Sequence, residues 1–336
     1  MKRGIPLCGI YLVIIMVITS CGNASNLKES NDGIEAIASP ECINDLDGRF
    51  FVDAEPTPKD TFYMIVRHQD NSSAPGNAVS LPVHYDASIH TGFKPPEPYE
   101  KWQLGKFDDA SSASSVYQLH CKSGGIHMNS WDTTWKPVVG GGPNTIYAYE
   151  FSEPAFPWAE EGSELQLQAN LQLPYFELWD INKNEQKPVG QLSYVIYLHD
   201  HTIPHAIAVV MNIFDHRQMT PVEAVLHDTG VSFASTFFGG TRYLTPASDS
   251  GEWTNQTWKG WKLYRAVMTK DNLLNIVTDI NKAHSTHLSL NPADYKLTAI
   301  GIMQETFREE GDQVSMSSSF SDFGAYRVTV PKDRNE

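Results

Sequence analysis

The segment Glu164-Leu-Gln-Leu-Gln-Ala-Asn-Leu-Gln-Leu173 alternates apolar and polar residues with a period of two. That period marks a half-buried β-strand, with Leu165, Leu167, Ala169, Leu171 and Leu173 facing a core and the glutamines and Asn170 facing out. A strand of this kind needs a second layer to cover its apolar face. The rest of the sequence supplies it. Short alternating or aromatic-rich runs recur over 49–53, 61–67, 115–121, 125–129, 145–151, 175–181, 189–199, 206–214, 222–226, 231–238, 261–268, 295–303, 313–320 and 324–330, punctuated by Gly, Pro, Asn and Asp. The pattern predicts an all-β sandwich or barrel. Leu273, Leu274, Val277, Ile280 and His284 break it: they follow a capping-type Asp271 at helical spacing, which predicts one substantial helix over 271–284. Residues 70–115, rich in Pro, Ser, Ala and Asp, read as long loops over one face, since strands resume on both sides.

Met1-Lys2-Arg3 is a short basic start, Gly4 to Ser20 is uncharged and apolar, and Ile18-Thr19-Ser20-Cys21 closes the run with small residues before a cysteine. A membrane span needs about 20 apolar residues, and this run is shorter and contains Pro6. It resembles the lipobox of bacterial lipoproteins. That resemblance implies cleavage before Cys21, lipidation of its sulfur and a place on the bacterial cell envelope, with membrane contact through the lipid anchor alone. The expected organisation is a signal peptide over 1–20, a polar tether over 21–40 and a single β domain over 41–336.

Cleavage would remove Lys2 and Arg3, so 25 basic residues fall to 23 against 40 acidic ones, and the formal net charge moves from −15 to −17. A groove for polyanions needs clustered Lys and Arg. None is visible, which argues against nucleic acid and, less strongly, against acidic polysaccharides. Of the four cysteines, Cys8 leaves with the signal and Cys21 takes the lipid, leaving Cys42 and Cys121 as an expected disulfide in an oxidising compartment. No cofactor is expected, and the chain reads as a monomer.

Glu177 is the one carboxylate between Phe176 and Leu178 in an otherwise apolar strand. Counted from Leu173 it has the parity of Leu171, Tyr175 and Trp179, and so points inward unless Pro174 introduces a bulge or a new strand. An ionised carboxylate away from water is expensive unless it is paired or kept for chemistry. Glu305, at the end of the strand over 295–303, shares a face with Gly301 and Met303. A glycosidase needs two such acids flanking a sugar, about 5 Å apart for retention and about 6.5–9.5 Å for inversion.

Two stretches carry a resemblance to glycoside hydrolase family 12. FELWDINKNEQKPVG is similar to the family's strand glutamate followed by Leu, a nearby Trp and a Pro-Ile-Gly-like turn. DNLLNIVTDINKAHSTHLSLNPADYKLTAIGIMQETF is similar to its helix, connecting loop and second glutamate strand, although Thr306 stands where the family has Pro. QVSMSSSFSDFGAYRV resembles the closing Ser-rich strands, with weaker echoes in GGIHMNSWDTTW. The resemblance implies a two-sheet antiparallel jelly roll of the concanavalin A type. It also implies endo-acting hydrolysis of a β-linked glucan with retention, Glu177 as nucleophile and Glu305 as acid/base.

Glu150 and Asp215 are expected helper acids whose charge tunes a neighbour's pKa. Trp131 and Trp135, near Gly140-Gly-Gly142, are expected to stack on sugar rings, joined by Tyr175 and Trp179 beside Glu177. Trp158, Trp253, Trp258 and Trp261 read equally as core or turn packing. His199, Asp200, His201 and His205, with Asp215 and His216 across a hairpin, form either a metal site or a polar turn closed by Pro204. Besides hydrolysis of a neutral polysaccharide, two alternatives stay open: a non-catalytic lectin on the same scaffold, and a lyase, which the acidic charge disfavours. The hydrolase reading requires Glu177 and Glu305 to converge on one face.

Overall fold

The computed structural model describes residues 34–38, 50–52, 62–67, 79–83, 102–108, 114–122, 125–132, 144–179, 189–217, 221–228, 231–307 and 313–329. Strands run in chain order as β1 (Ile34–Ala38), β2 (Phe50–Val52), β3 (Phe62–Arg67), β4 (Val79–Val83), β5 (Trp102–Asp108), β6 (Ser114–Lys122), β7 (Gly125–Asp132) and β8 (Asn144–Ala155). They continue with β9 (Ser163–Trp179), β10 (Val189–Asp200), β11 (His205–Asp215), β12 (Ala224–Asp228), β13 (Val231–Phe237), β14 (Thr245–Pro246) and β15 (Trp258–Met268). After helix α1 (Lys270–His284) come β16 (Tyr295–Phe307) and β17 (Gln313–Thr329).

Two sheets form a jelly-roll sandwich. The first has the order β14-β15-β9-β17-β7-β6-β5-β4 with β1 added to β17, and the second the order β12-β13-β11-β10-β16-β8-β3-β2. The pairs are antiparallel except β11 with β13 and β2 with β3. The core lies between the layers. Leu165, Leu167, Ala169, Leu171 and Leu173 of β9 meet Leu192, Tyr194, Ile196 and Leu198 of β10 and Ile207, Val209, Met211 and Ile213 of β11. Leu273, Ile276, Val277 and Ile280 put one face of α1 into the same core. A smaller apolar cluster, with Val195, Tyr197, Ala208, Val210, Phe233 and Met303, covers the other face of the second sheet.

Several expectations change. The runs over 164–173 and 175–181 are one 17-residue strand. The stretch read as loops over 70–115 from its Pro, Ser, Ala and Asp content contains β4 and β5. Ile34–Ala38, assigned by sequence to the tether, pairs with β17 and belongs to the first sheet. The helix starts one residue earlier than expected, because Thr269 and not Asp271 is its N-cap. Its side chain accepts from the Asn272 backbone N–H, and the Asn272 side chain accepts from the Thr269 N–H, a reciprocal capping box. Cys121 sits on β6, whereas Cys21 and Cys42 lie outside the described residues. Among the described residues no helix is long and apolar enough to cross a membrane.

Candidate functional site

Two bulges decide where the candidate acids go. In β9, Tyr175 pairs with Ser317 and Gln172 with Ser319, so Leu173 and Pro174 together stand opposite Ser318 alone. One extra residue reverses the alternation of everything after it. Phe176 therefore takes the core side: its ring stacks on His216 at 5.1 Å and meets Phe214 at 5.4 Å. A Cβ on Gly190, the second residue of β10, would come 2.1 Å from the Phe176 ring, so this close approach requires glycine. Position 177, opposite Ser315, falls on the outer face of the first sheet. The inward parity expected for Glu177 is corrected by this bulge at Pro174.

That outer face gathers most of the aromatic candidates. Ser315 of β17 pairs with Glu177 on one side and Trp131 on the other, so all three form one row across three strands. In the next row Ser317 stands between Tyr175 and Asn129, and one beyond it Ser319 stands between Gln172 and His127. Gln313 pairs with Trp179 at the strand end. Residues directly opposite share a face, so a carboxylate, amides, hydroxyls and aromatics occupy neighbouring positions of one surface. Trp135 lies outside the described residues. The signal for Ser315, Ser317 and Ser319 was present in the alternation of VSMSSSF, but nothing local shows that this strand lies between β7 and β9.

In β11 the register shift opposite Leu192 and Ser193 leaves Ile213 and Phe214 both in the core and turns Asp215 outward. Asp215 then stands beside Gln191, which stands beside Glu305, on the outer face of the second sheet. The row is buried: Glu305 is 5%, Gln191 5% and Asp215 7% exposed. Gln191 Nε2 donates to Asp215 Oδ2 at 2.6 Å. Arg217 grips the same carboxylate with its guanidinium fork, Nε to Oδ1 at 2.9 Å and Nη2 to Oδ2 at 2.6 Å. The next row continues the polar surface, with Ser193 Oγ donating to Asn212 Oδ1 at 2.8 Å. Asp215 is thus the acid placed nearest in register to Glu305. Glu150, on the same face but opposite Ala299, is six residues along the strand from the Glu305 row, about 20 Å away.

The histidines separate. His199 shares the outer face of the second sheet with Tyr197, β10 ends at Asp200, and His201 lies in the turn with Nδ1 2.7 Å from the Asp294 carbonyl. Asp200 is fully buried and accepts from the Thr202 N–H and the Ser289 N–H, so it tethers the turn. His205 Nε2 lies 2.9 Å from Ser232 Oγ, with the His227 Nδ1 3.1 Å from the same oxygen. Burial holds the pKa of both His199 and His205 down, the charge of His227 adding to it at His205. Among the described residues no group of three or more His, Cys, Asp or Glu is placed to hold a metal. Of the uncertain tryptophans, Trp158 is buried and donates to the Met268 carbonyl, Trp258 packs on the core, and Trp261 is 46% exposed.

One acid with a displaced pKa was missed. Glu164 Oε2 accepts the Lys270 N–H at the start of α1 at 2.7 Å. Burial pushes its pKa up to about 7, against the pull of that N–H and of the Lys270 charge.

No protein-family model matches the sequence, and no curated protein does. Among solved structures the chain is similar to endoglucanase 3 of Trichoderma harzianum from family GH12, at 7% identity and a TM-score of 0.35, over 79% of this chain and 98% of that one. It is also similar to a thermostable cellulase derived from Cel12A of Rhodothermus marinus, at 11% identity and 0.31, over 67% and 91%. A third is the family 11 xylanase of Neocallimastix patriciarum, at 6% identity and 0.33, over 68% and 92%. Likeness at this level assigns neither a substrate nor a residue.

Proposed function

We propose that the protein binds a neutral β-linked polysaccharide along the outer face of the first sheet. One observation carries the reading: Trp131 and Glu177 flank Ser315, and Asn129 and Tyr175 flank Ser317, in successive rows of one face. Aromatic faces pack on the C–H faces of pyranoses, while amides, hydroxyls and a carboxylate take their hydroxyl groups. The net charge of −15 sets the preference for an uncharged ligand.

Retaining hydrolysis by Glu177 and Glu305, which the family resemblance implies, needs the two carboxyls about 5 Å apart. Their strands belong to different layers, with position 177 on the outer face of one and Glu305 on the outer face of the other. Packed sheets stand about 10 Å apart before outward-pointing side chains are added. Binding without cleavage is therefore the reading the geometry favours. Hydrolysis survives as a second reading because Glu305 and Asp215 flank Gln191 on one face. Two strand spacings put their backbones about 10 Å apart, a separation from which carboxyls reach the inverting range. Attachment to a bacterial envelope through an acylated Cys21 belongs to the same proposal and draws its support from residues 1–21 alone.

The test is affinity electrophoresis in soluble mixed-linkage β-glucan, together with an assay for reducing ends. Retardation of the wild-type protein, weakened by Trp131→Ala and Tyr175→Ala, with no reducing ends released, is the expected result. Reducing ends that vanish in Glu305→Gln and Asp215→Asn would replace the binding reading with the hydrolytic one.

A further inference from the structure

Between Trp258, opposite Leu173, and Lys262, opposite Leu171, the strand β15 carries Lys259, Gly260 and Trp261 where the partner β9 has the single residue Gln172. Gly260 has a φ of 85°, and a Cβ built there would meet nothing within 4 Å, so the bulge stands out into open space. Its base is fixed. Trp258 Nε1 donates to the Leu171 carbonyl at 3.1 Å, its ring tilts on the core residue Tyr264 at 5.9 Å, and the Lys262 ammonium sits 5.5 Å from the centre of that same Tyr264 ring. The tip is Trp261, 46% exposed. A lone exposed apolar residue needs no explanation, but here a built bulge lifts an indole out of the strand.

What the bulge stands beside gives it a role. Gln172 belongs to the row Gln172–Ser319–His127, next to the row Tyr175–Ser317–Asn129 on the outer face of the first sheet. Resting on the reading of that face as a glycan surface, we infer that Trp261 is an additional stacking platform for the same neutral polysaccharide. It sits at the β15 border of the surface. The indole face packs on a pyranose C–H face with no charge to desolvate, and the bulge fixes its place before the ligand arrives. Exposed Lys259 and Lys262 flank it and donate to ring hydroxyls. A sugar chain crossing from Tyr175 over Gln172 meets Trp261 next.

Calorimetric titration of the full chain with soluble mixed-linkage β-glucan tests this. Trp261→Ala should weaken binding about three- to tenfold, the range that one aromatic stacking contact accounts for, with an unchanged thermal midpoint, and Trp261→Phe should retain most of the affinity. Wild-type binding that Tyr175→Ala weakens and Trp261→Ala leaves unaltered would overturn the platform and keep the glycan face. Absence of wild-type binding would bring down both. Tighter binding of a polyuronate, lost on Lys259→Ala and Lys262→Ala, would also overturn it, by showing that the bulge takes a charged ligand through its ammoniums.

Discussion

The two sheets turn an acid outward by the same device and give it different company. In β9 an extra residue at Leu173-Pro174 sends position 177 to the outer face, and in β11 an extra residue at Ile213 does the same for Asp215. Without either bulge an ionised carboxylate would enter the core between the layers, at a cost no partner there offsets. On the second sheet the outward acid is closed in: Arg217 and Gln191 satisfy it, and the surface beyond it is apolar with Val195, Val210 and Met303. On the first sheet position 177 falls in register with serines, an asparagine and aromatics, of which Ser317 and Ser319 are themselves buried between their neighbours. A locked carboxylate serves structure or tunes a neighbour, whereas a polar and aromatic strip is suited to ligand contact.

The strongest way to break the comparison is to unlock the second sheet. Arg217→Met removes the guanidinium from a buried carboxylate and should cost about 3–5 kcal/mol by urea denaturation, because the charge left behind stays buried. A loss under 1 kcal/mol would show that the Arg217 contact does not hold Asp215 in place and remove the contrast.

The β9 bulge is tested by two neighbouring residues. Phe176→Ala should lower stability by about 2–4 kcal/mol, since the ring packs on His216, Phe214 and the core, and should act on glycan binding only through folding. Tyr175→Ala, one residue away on the other face, should do the reverse, weakening binding with less than about 1 kcal/mol lost in stability. Equal destabilisation by both would mean that the bulge does not divide them.

Gly190→Ala comes next, at about 1–3 kcal/mol, because its Cβ would fall 2.1 Å from the Phe176 ring and force that ring off the core. The double variant Gly190→Ala with Phe176→Ala should lose less than the sum, a coupling readable from the thermodynamic cycle.

The smallest effect is a pH dependence at the other end of β9. Glu164 titrates near 7 in the folded protein against 4.5 as its ordinary value, so the folded state holds a proton that the unfolded state has released between those values. Its contribution is present below about pH 4.5 and is lost as pH rises through about 7. Glu164→Gln should flatten the stability profile across that window. His205, held down by burial, works in the opposite sense: stability falls as pH drops below its ordinary 6.5. A profile that stays unchanged in Glu164→Gln would remove the carboxylate from the account.

Much of this was legible locally. Alternation in Glu164–Leu173 set the core face of β9 and every one of its apolar residues is buried, helical spacing found α1, and the parity of Glu305 with Met303 held, since both lie on the outer face of the second sheet. Those features depend on residues a few positions apart. Ile34–Ala38 escaped because it is an added strand whose partner, β17, lies nearly three hundred residues on, and β4 and β5 escaped because the Pro, Ser, Ala and Asp content around them reads as loop. Trp131 and Tyr175 were visible as candidates, but their company was not, because β17 lies between them only once the sheet is assembled.

By itself, then, the sequence determined the strand period, the single helix, the acidic charge and the residue types suited to sugars. Tertiary structure decided which acids share a face. A bulge is one residue long, and its presence depends on how two distant strands pair, so local alternation cannot tell inward from outward beyond it. Pro174 raised that question in the sequence. Pairing with Ser317 and Ser319 answered it, and separated Glu177 from Glu305 by placing them on opposite outer faces of the sandwich.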